Sequence, residues 1–479
     1  MARHSCSPHS IADVLRHVSV SADVRHESVV LTGITQDSRE VQPGDVYCCI
    51  RGEHFDGHAY VRDAVTAGAV ALMIDRDISD IPDHVALIRV NDVRRFVGPF
   101  ASSLFDHPSR ALTMVGVTGT NGKTTTTAMM SSICSAVGQN VRQIGTLTGA
   151  RTTPEAIDLQ AQLATWVTEG VNCVVMEVSS HALVQHRVGG VLFDVSVFTN
   201  IGRDHLDFHG TEEAYFSAKA MLFTEEFSRC GVVNIDDPKG MLLQDAMTIP
   251  MVGFSSSDAS NVEMSFDRVS YTWNDCEIEV PMGGSFTLMN SLAAGTAAQT
   301  LGISSDAISK GLKNVGAVPG RFESISNTLG FGVLIDYAHT PESLESLLTS
   351  VRQVCTGRVI AVFGCGGNRD AGKRPLMGGI AATYADIAIV TSDNPRSEDP
   401  VAIIDEICAG VSTSDSHVIR MPDRALAIES AIHEARRDDI VVIAGKGHET
   451  TQEISGVFHP FSDVDVAKKV LHRREETTE

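Results

Sequence analysis

Val115-Gly116-Val117-Thr118-Gly119-Thr120-Asn121-Gly122-Lys123-Thr124-Thr125 is the stretch whose reading decides the fold. The apolar run 111–117 leading into it has the length and composition of a buried parallel strand, and the segment 128–137 beyond it is amphipathic at helical spacing. Strand, glycine loop and helix in that order make a phosphate cradle. Glycines let backbone N–H groups converge on oxyanions, and the helix start adds the positive end of its dipole. Lys123 is placed to reach the β- and γ-phosphates of ATP, and the Thr124 hydroxyl to sit on Mg²⁺. Five residues separate Gly116 from Gly122 instead of the usual four, so the working motif is Gly119-Thr-Asn-Gly-Lys-Thr124. A glycine turn that merely caps a helix is the plain alternative; the lysine and the flanking pattern favour an ATP site.

At 479 residues the chain exceeds one core and suggests three domains of about 150 residues each. With 43% hydrophobic and 20% charged residues it reads as globular rather than disordered. Asp and Glu number 60 against 38 Lys and Arg, a net charge of −22. That field repels polynucleotides and anionic membranes, so neither nucleic acid nor membrane insertion is expected. An anionic substrate would need local lysines, arginines and Mg²⁺. The ten cysteines show no Cys-x-x-Cys pair and mostly lie in apolar runs, as buried free thiols of a reducing cytosol would. No apolar signal core or membrane-length run is present. A soluble, cytoplasmic protein is expected, and a monomer.

Three blocks follow one another. Residues 1–108 predict a small α/β domain, with a strand at 46–50, a helix at 60–69, a strand at 70–74 and a helix at 95–105. Residues 109–319 alternate strand and helix, hence a parallel sheet. Its strands at 171–178 and 195–199 end in the polar tails Glu177-Val-Ser-Ser-His181 and Thr199-Asn-Ile-Gly-Arg-Asp-His205. Ligands sit at the carboxyl ends of such strands, so these tails belong beside the phosphate loop. Helices at 214–223 and 290–301 flank an antiparallel excursion at 276–284. Residues 320–479 predict a second, Rossmann-like doubly wound sheet with strands at 333–336, 359–363, 387–390 and 440–444 and a helix at 425–436.

Taken together, Gly119-Thr-Asn-Gly-Lys-Thr124, Met176-Glu-Val-Ser-Ser-His181, Thr199-Asn-Ile-Gly-Arg-Asp-His-Leu-Asp207, Tyr215-Phe-Ser-Ala-Lys219, Gly320-Arg-Phe-Glu323 and Asp336-Tyr-Ala-His-Thr-Pro341 resemble the Mur ligase family. They occur in family order over essentially the whole chain. The resemblance implies an ATP-dependent amide ligase that extends the peptide of UDP-N-acetylmuramic acid in bacterial wall synthesis. Phe363-Gly-Cys-Gly-Gly-Asn-Arg-Asp370, Lys373-Arg-Pro375, Asp393-Asn-Pro-Arg396 and Gly445-Lys-Gly-His-Glu449 look like the branch adding the third amino acid, and Asp-Asn-Pro-Arg is typical of members that add meso-2,6-diaminopimelate.

The family match implies a role for each matching residue. Lys123, Glu177, His205 and Lys219 are the expected catalytic groups, and Thr124, Glu177, His205 and Lys219 the groups at Mg²⁺. Lys219 is expected as N6-carboxylysine, a CO₂-derived carbamate; without the family it would pass for a solvated surface lysine. Gly119, Thr120, Asn121, Gly122, Lys123, Thr124 and Thr125, with Asn290, Arg321 and Asp336, are the expected ATP contacts. Ser38, Glu53, His54, Phe55, Thr152, Thr153, Ser179, Gln185 and Arg187 are those to the UDP-N-acetylmuramoyl-dipeptide, although Ser38 alone reads as a turn residue and Arg151 departs from some branch members. Arg374, Asp393, Asn394, Pro395, Arg396, Gly445 and Glu449 are the contacts expected for diaminopimelate, with Arg396 forking onto its second carboxylate.

Plainer roles stand beside these: a capping or salt-bridged Glu177, a structural His205, and Asp-Asn-Pro-Arg as a simple turn. Arg321 opens the third block and would meet ATP only on domain closure. The competing functions are the same ligase adding L-lysine, a folylpolyglutamate-synthetase-like ligase, and a P-loop ATP-binding protein that forms no amide.

Overall fold

The apolar runs become the inner strands of three six-stranded sheets in the computed structural model, which describes residues 3–18, 22–52, 55–411 and 417–477. In the first sheet, parallel strands Val30–Thr35, Asp45–Cys48, Ala71–Ile74 and Ala86–Arg89 lie between antiparallel edges His4–Ser10 and Asp23–Arg25. Asp45–Cys48 and Ala71–Ile74 are buried at every residue, as parallel strands covered on both faces must be. The Asp92 carboxylate caps helix Val93–Leu104 by accepting from the Arg94 and Arg95 N–H groups. Asp56 caps earlier than the pattern suggests, so the helix expected at 60–69 starts as a 3₁₀ turn, Gly57–Tyr60, before Val61–Ala67.

The central sheet is wholly parallel, in the order Met251–Phe254, Gly231–Asn234, Val195–Phe198, Thr113–Thr118, Cys173–Glu177, Val141–Ile144. Strand Thr113–Thr118 lies where the connections change direction, so its carboxyl end opens into the crevice that binds ligands in such sheets. The registers Thr118 with Phe198 and Val117 with Glu177 bring three strand ends level. Helix Lys123–Ala136 follows the loop at once. The helix expected at 290–301 starts earlier, at Ser285, and runs to Thr300, which puts Asn290 on its second turn, facing inward. The excursion at 276–284 is the last strand of a meander, Ser260–Met264, Val269–Trp273 and Cys276–Val280.

The third sheet runs Glu323–Ser324, Gly332–Asp336, Ile440–Ala444, Val359–Phe363, Ile387–Val390, His417–Arg420, parallel except for its first strand. The helix expected at 425–436 is Arg424–Glu434. All ten cysteines are free, but only Cys48, Cys49, Cys134, Cys173 and Cys365 are buried. The expectation that most would be buried fails because Cys230, Cys276, Cys355 and Cys408 stand where strands or helices begin or end, at the margins of their apolar runs. Among the described residues no helix is long and apolar enough to cross a membrane.

Behind the carboxyl ends of the third sheet, the wholly buried Arg424 pairs with both Asp463 oxygens at 2.7 and 2.8 Å and donates to the carbonyls of Ser392 (3.3 Å) and Ala444 (2.9 Å). It thereby ties together the strand ends that carry Asp393 and Gly445. Removing one partner of a buried ion pair strands the other charge. Arg424→Met is therefore expected to lower stability by about 3–5 kcal/mol, read as a lowered midpoint in urea denaturation.

Candidate functional site

The phosphate loop is held by the tail of the next strand. The N–H groups of Thr120 and Asn121 donate to Asn200, to its backbone carbonyl at 3.0 Å and its Oδ1 at 2.9 Å. The Thr199 hydroxyl donates to the Asn121 carbonyl at 2.6 Å, and the Gly202 N–H to Thr120 Oγ1 at 2.9 Å. Gly122 has φ +85°, in the left-handed region, and a Cβ there would collide with Asn290 Oδ1. Packing and backbone both require glycine at this position.

Two lysines converge on one carbonyl. Lys123 Nζ donates to the Gly119 and Thr120 carbonyls at 2.9 and 2.8 Å, and Lys219 Nζ also donates to Gly119 at 2.9 Å. Lys219 is 1% exposed and lies 4.4 Å from the centre of the Tyr215 ring, so it is no solvated surface lysine. Burial, then repulsion from Lys123, pulls its pKa well below the ordinary lysine value. Burial also lowers that of Lys123, with Glu177 and Asp204 opposing.

Glu177 ends its strand 1% exposed. Its Oε1 accepts from the Thr124 hydroxyl at 3.1 Å and the Thr146 N–H at 2.9 Å, and its Oε2 from the Thr146 hydroxyl at 3.3 Å. The helix that follows, Ser180–Val184, is capped by Ser179 instead. His205 has φ +54°, and its Nε2 lies 3.4 Å from Asp204. His181 meets its ring edge-on at 4.7 Å. Burial pushes the His205 pKa down to about 4, against the pull of Asp204, so its imidazole is neutral at neutral pH. From the third block Arg321 stacks over Tyr337 at 4.5 Å and donates to Thr124 Oγ1 at 3.3 Å. The third block is already docked on the loop. Asp336 accepts from the Phe322 and Ala338 N–H groups, both at 2.7 Å, and burial raises its pKa.

A cavity of about 950 Å³ is lined by residues 119–125 together with Glu177, His205, Lys219, Asn290, Arg321, Asp336, Thr152 and Ser179. Its size suits a nucleotide with part of a second substrate. Among the described residues no three His, Cys, Asp or Glu side chains gather closely enough to hold a metal by themselves. Thr124 and Glu177 do offer adjoining hard oxygens, and Mg²⁺ commonly takes one or two protein oxygens and completes its shell with phosphate and water. The donor set fits that ion.

Other expected contacts lie elsewhere. Thr153 is buried and donates to the Glu177 carbonyl at 3.0 Å; Arg187 is held by Gln185 at 2.6 Å and Glu155 at 3.1 Å. Glu155 also pairs with Arg151. Ser38, in the 3₁₀ turn Ser38–Glu40, and the exposed Phe55 do not line the cavity, and Glu53 and His54 lie outside the described residues. Asp393, Asn394, Pro395, Arg396, Gly445 and Glu449 gather in a separate cluster that also lies outside the cavity.

In that cluster the Asn394 N–H donates to Asp393 Oδ1 at 2.6 Å, and a turn closes at the end of the tetrad, where the Glu398 N–H donates to the Pro395 carbonyl at 3.0 Å. Gly445 has φ +116°, and a Cβ there would press on Asp393 Oδ2. Arg396 donates to the Gly367 carbonyl at 2.6 Å and lies 3.3 Å from Glu453, because the hairpin Thr451–Pro460 folds back beside it. One expectation needs correcting. Arg374, its side chain 2% exposed, is clamped by Glu398 and Glu406, both at 2.9 Å, and serves as a buried brace. Sequence reasoning missed Thr146, Asn200, Asp204, Tyr215 and Lys446. All but Thr146 stand inside motifs quoted above, whereas a lone threonine after a strand carries no signal.

Three family models match this chain: the Mur ligase family catalytic domain over residues 30–103, the Mur ligase middle domain over 117–298, and the Mur ligase glutamate ligase domain over 320–447. A UDP-N-acetylmuramoyl-L-alanyl-D-glutamate–2,6-diaminopimelate ligase of Geobacillus kaustophilus is 41% identical over 471 residues, covering 93% of this chain and 95% of the relative. One of Streptomyces coelicolor is 39% identical, with 93% of each chain covered. A solved structure of a ligase with that name superposes with a TM-score of 0.70 at 30% identity, covering 98% of this chain and all of the other. A folylpolyglutamate synthase of Mycobacterium tuberculosis, at 17% identity, a TM-score of 0.59 and 72% of this chain covered, shares the fold alone.

The position of Gly122 gives a direct test. A left-handed non-glycine residue costs about 1–2 kcal/mol, and Asn290 must also move. Gly122→Ala is expected to weaken Mg²⁺–ATP binding at least about tenfold in calorimetric titration, with thermal unfolding shifted by only a few degrees.

Proposed function

The chain belongs to the Mur ligase family, and from that premise we propose that it adds meso-2,6-diaminopimelate to UDP-N-acetylmuramoyl-L-alanyl-D-glutamate, driven by ATP, in peptidoglycan precursor synthesis. The observation that carries the reading is Arg321, which comes from the third block yet bonds to Thr124 of the phosphate loop, so that two modules make one site.

A carboxylate is too poor an electrophile to take an amine in water. Transfer of the γ-phosphoryl group of ATP converts it to an acyl phosphate, whose phosphate leaves when the neutral amine attacks. The difficulty is that two anions must meet, which calls for in-line positioning and strong charge neutralisation. Lys123 and Arg321 supply fixed positive charge at the triphosphate. Asn290 and Asp336 would contact adenine and ribose. Thr124, Glu177, His205 and Lys219 would hold Mg²⁺, which when bound neutralises phosphate charge.

Lys219 fits a carbamate. Carbamylation needs the neutral amine, which the depressed pKa favours; the carbamate keeps one N–H for the Gly119 carbonyl; and the cation of Lys123 faces the new negative charge. Docking of the third block would shield the acyl phosphate from water. Arg203 with Asp370 at 3.5 Å and Arg369 with Asp207 at 3.7 Å support that docking.

Thr152, Thr153, Ser179, Gln185 and Arg187, with Ser38 and Phe55 of the first module, would bind the UDP-muramoyl substrate. Asp393, Asn394, Arg396, Gly445 and Glu449 would receive the amino acid, with Arg374 bracing them. Lysine lacks the second carboxylate of diaminopimelate and would leave part of the Arg396 fork without its ligand partner, a defect that can separate substrates by up to about 10⁴–10⁵. The enzyme is read as a monomer and as cytoplasmic, since its ten free thiols suit a reducing compartment. The residue ranges 1–108, 109–319 and 320–479 serve as its UDP-substrate, ATP and amino-acid modules.

ADP and phosphate release should require both the UDP-muramoyl-dipeptide and diaminopimelate, with L-lysine a poor replacement. Turnover without an amine, or equal rates with the two amines, would contradict the reading. With ¹³C-bicarbonate, a carbamate carbon signal is expected that Lys219→Ala abolishes along with activity. Acidification protonates the amine and should erase the signal, while raising the pH back to neutral should restore it; no signal at neutral pH would sink the carbamate.

A further inference from the structure

Lys446 has no part in the chemistry above, yet its side chain is 0% exposed. Its ammonium donates to Glu449 Oε2 at 2.8 Å and to Asn394 Oδ1 at 3.1 Å, while Asn394 Nδ2 donates to the same Glu449 oxygen at 2.8 Å. The three side chains close a triangle that joins the turn after strand Ile387–Val390 to the loop after strand Ile440–Ala444. Burying a lysine side chain is costly unless its donors are matched, so the arrangement calls for a function or a partner.

Resting on the proposed function, we propose that Lys446 is a positioning residue that sets the amino-acid site to receive a zwitterionic end, one ammonium beside one carboxylate, in preference to a bare ammonium. An ammonium only donates, and so does the Glu453 N–H, which bonds to the same Asn394 Oδ1 at 3.0 Å. Two donors on one side leave the Asn394 amide a single orientation, with Oδ1 toward Lys446 and Nδ2 toward Glu449. The second N–H of Nδ2 then remains available for a carboxylate. Among the described residues no hydrogen bond engages Glu449 Oε1, which remains available for an ammonium.

Charge points the same way. Without Lys446, the acids Asp393, Glu449 and Glu453 would face Arg396 and an Arg424 already paired with Asp463, leaving two surplus negative charges that favour any cation. With Lys446 the surplus is a single negative charge, and a neutral zwitterion competes on better terms with a cation.

The test uses Lys446→Met in the full-length enzyme, with Michaelis constants for all three substrates. The KM for meso-diaminopimelate is expected to rise at least tenfold, more than kcat falls, and the preference for it over L-lysine to drop at least tenfold. The KM values for ATP and the UDP-muramoyl-dipeptide are expected to stay within about twofold. An unchanged KM for diaminopimelate, or a parallel change in all three constants, would overturn the proposal. If the methionine variant is insoluble, Lys446→Gln is read by the same criteria. Wild-type enzyme that fails to use diaminopimelate would instead refute the proposed function, so the two failures are distinguishable.

Discussion

One backbone oxygen organises this molecule: the Gly119 carbonyl accepts hydrogen bonds from both Lys123 and Lys219 at 2.9 Å. Two protonated amines sharing one acceptor would repel each other, and burial denies that repulsion the screening of water. Lys219 is therefore driven toward its neutral amine, while Lys123 needs negative charge at hand to stay cationic. Glu177 and Asp204 supply part of it, as their opposition to the lowered pKa of Lys123 records. A triphosphate in the loop, or a carbamate on Lys219, would supply the rest. The loop is thus charged in advance of its ligand, which is what preorganised stabilisation of a phosphoryl-transfer transition state requires.

The rest of the architecture serves that point. A parallel sheet delivers three strand ends to one level, and the tails beyond them do the work: Asn200 shapes the loop, Glu177 meets Thr124, and His205 stands with Asp204 at the rim. The third module contributes from across the interface through Arg321. The Tyr337 ring stacked on Arg321 also lies 5.2 Å from the ring of His448, in the loop that carries Lys446 and Glu449. The phosphate loop and the Asp393–Glu449 cluster are therefore neighbours through packed side chains, although they do not share a cavity.

Much of this was legible in the chain before any coordinates. Parallel strands are continuous apolar runs, and those at 171–178, 195–199, 359–363, 387–390 and 440–444 all became strands at nearly those positions. Helix starts were less legible: Ser285 begins a helix with no side-chain cap to announce it. Motifs located the phosphate loop, because spacing within a strand–loop–helix unit is local information. Pairing between distant segments is not. Nothing near Arg374 announces that Glu398 and Glu406 will enclose it, nor does anything near Arg396 announce Glu453, and so both arginines looked freer than they are. Lys446 was overlooked for the same reason, since its partner Asn394 lies 52 positions away.

The account's central claim is that the loop exists to activate a carboxylate by phosphorylation. It is tested most directly by labelling the terminal carboxylate of the UDP-muramoyl-dipeptide with ¹⁸O and following the label through one turnover. Passage through an acyl phosphate moves one labelled oxygen into the released inorganic phosphate for each amide formed. Amide formation with all the inorganic phosphate free of ¹⁸O would contradict it.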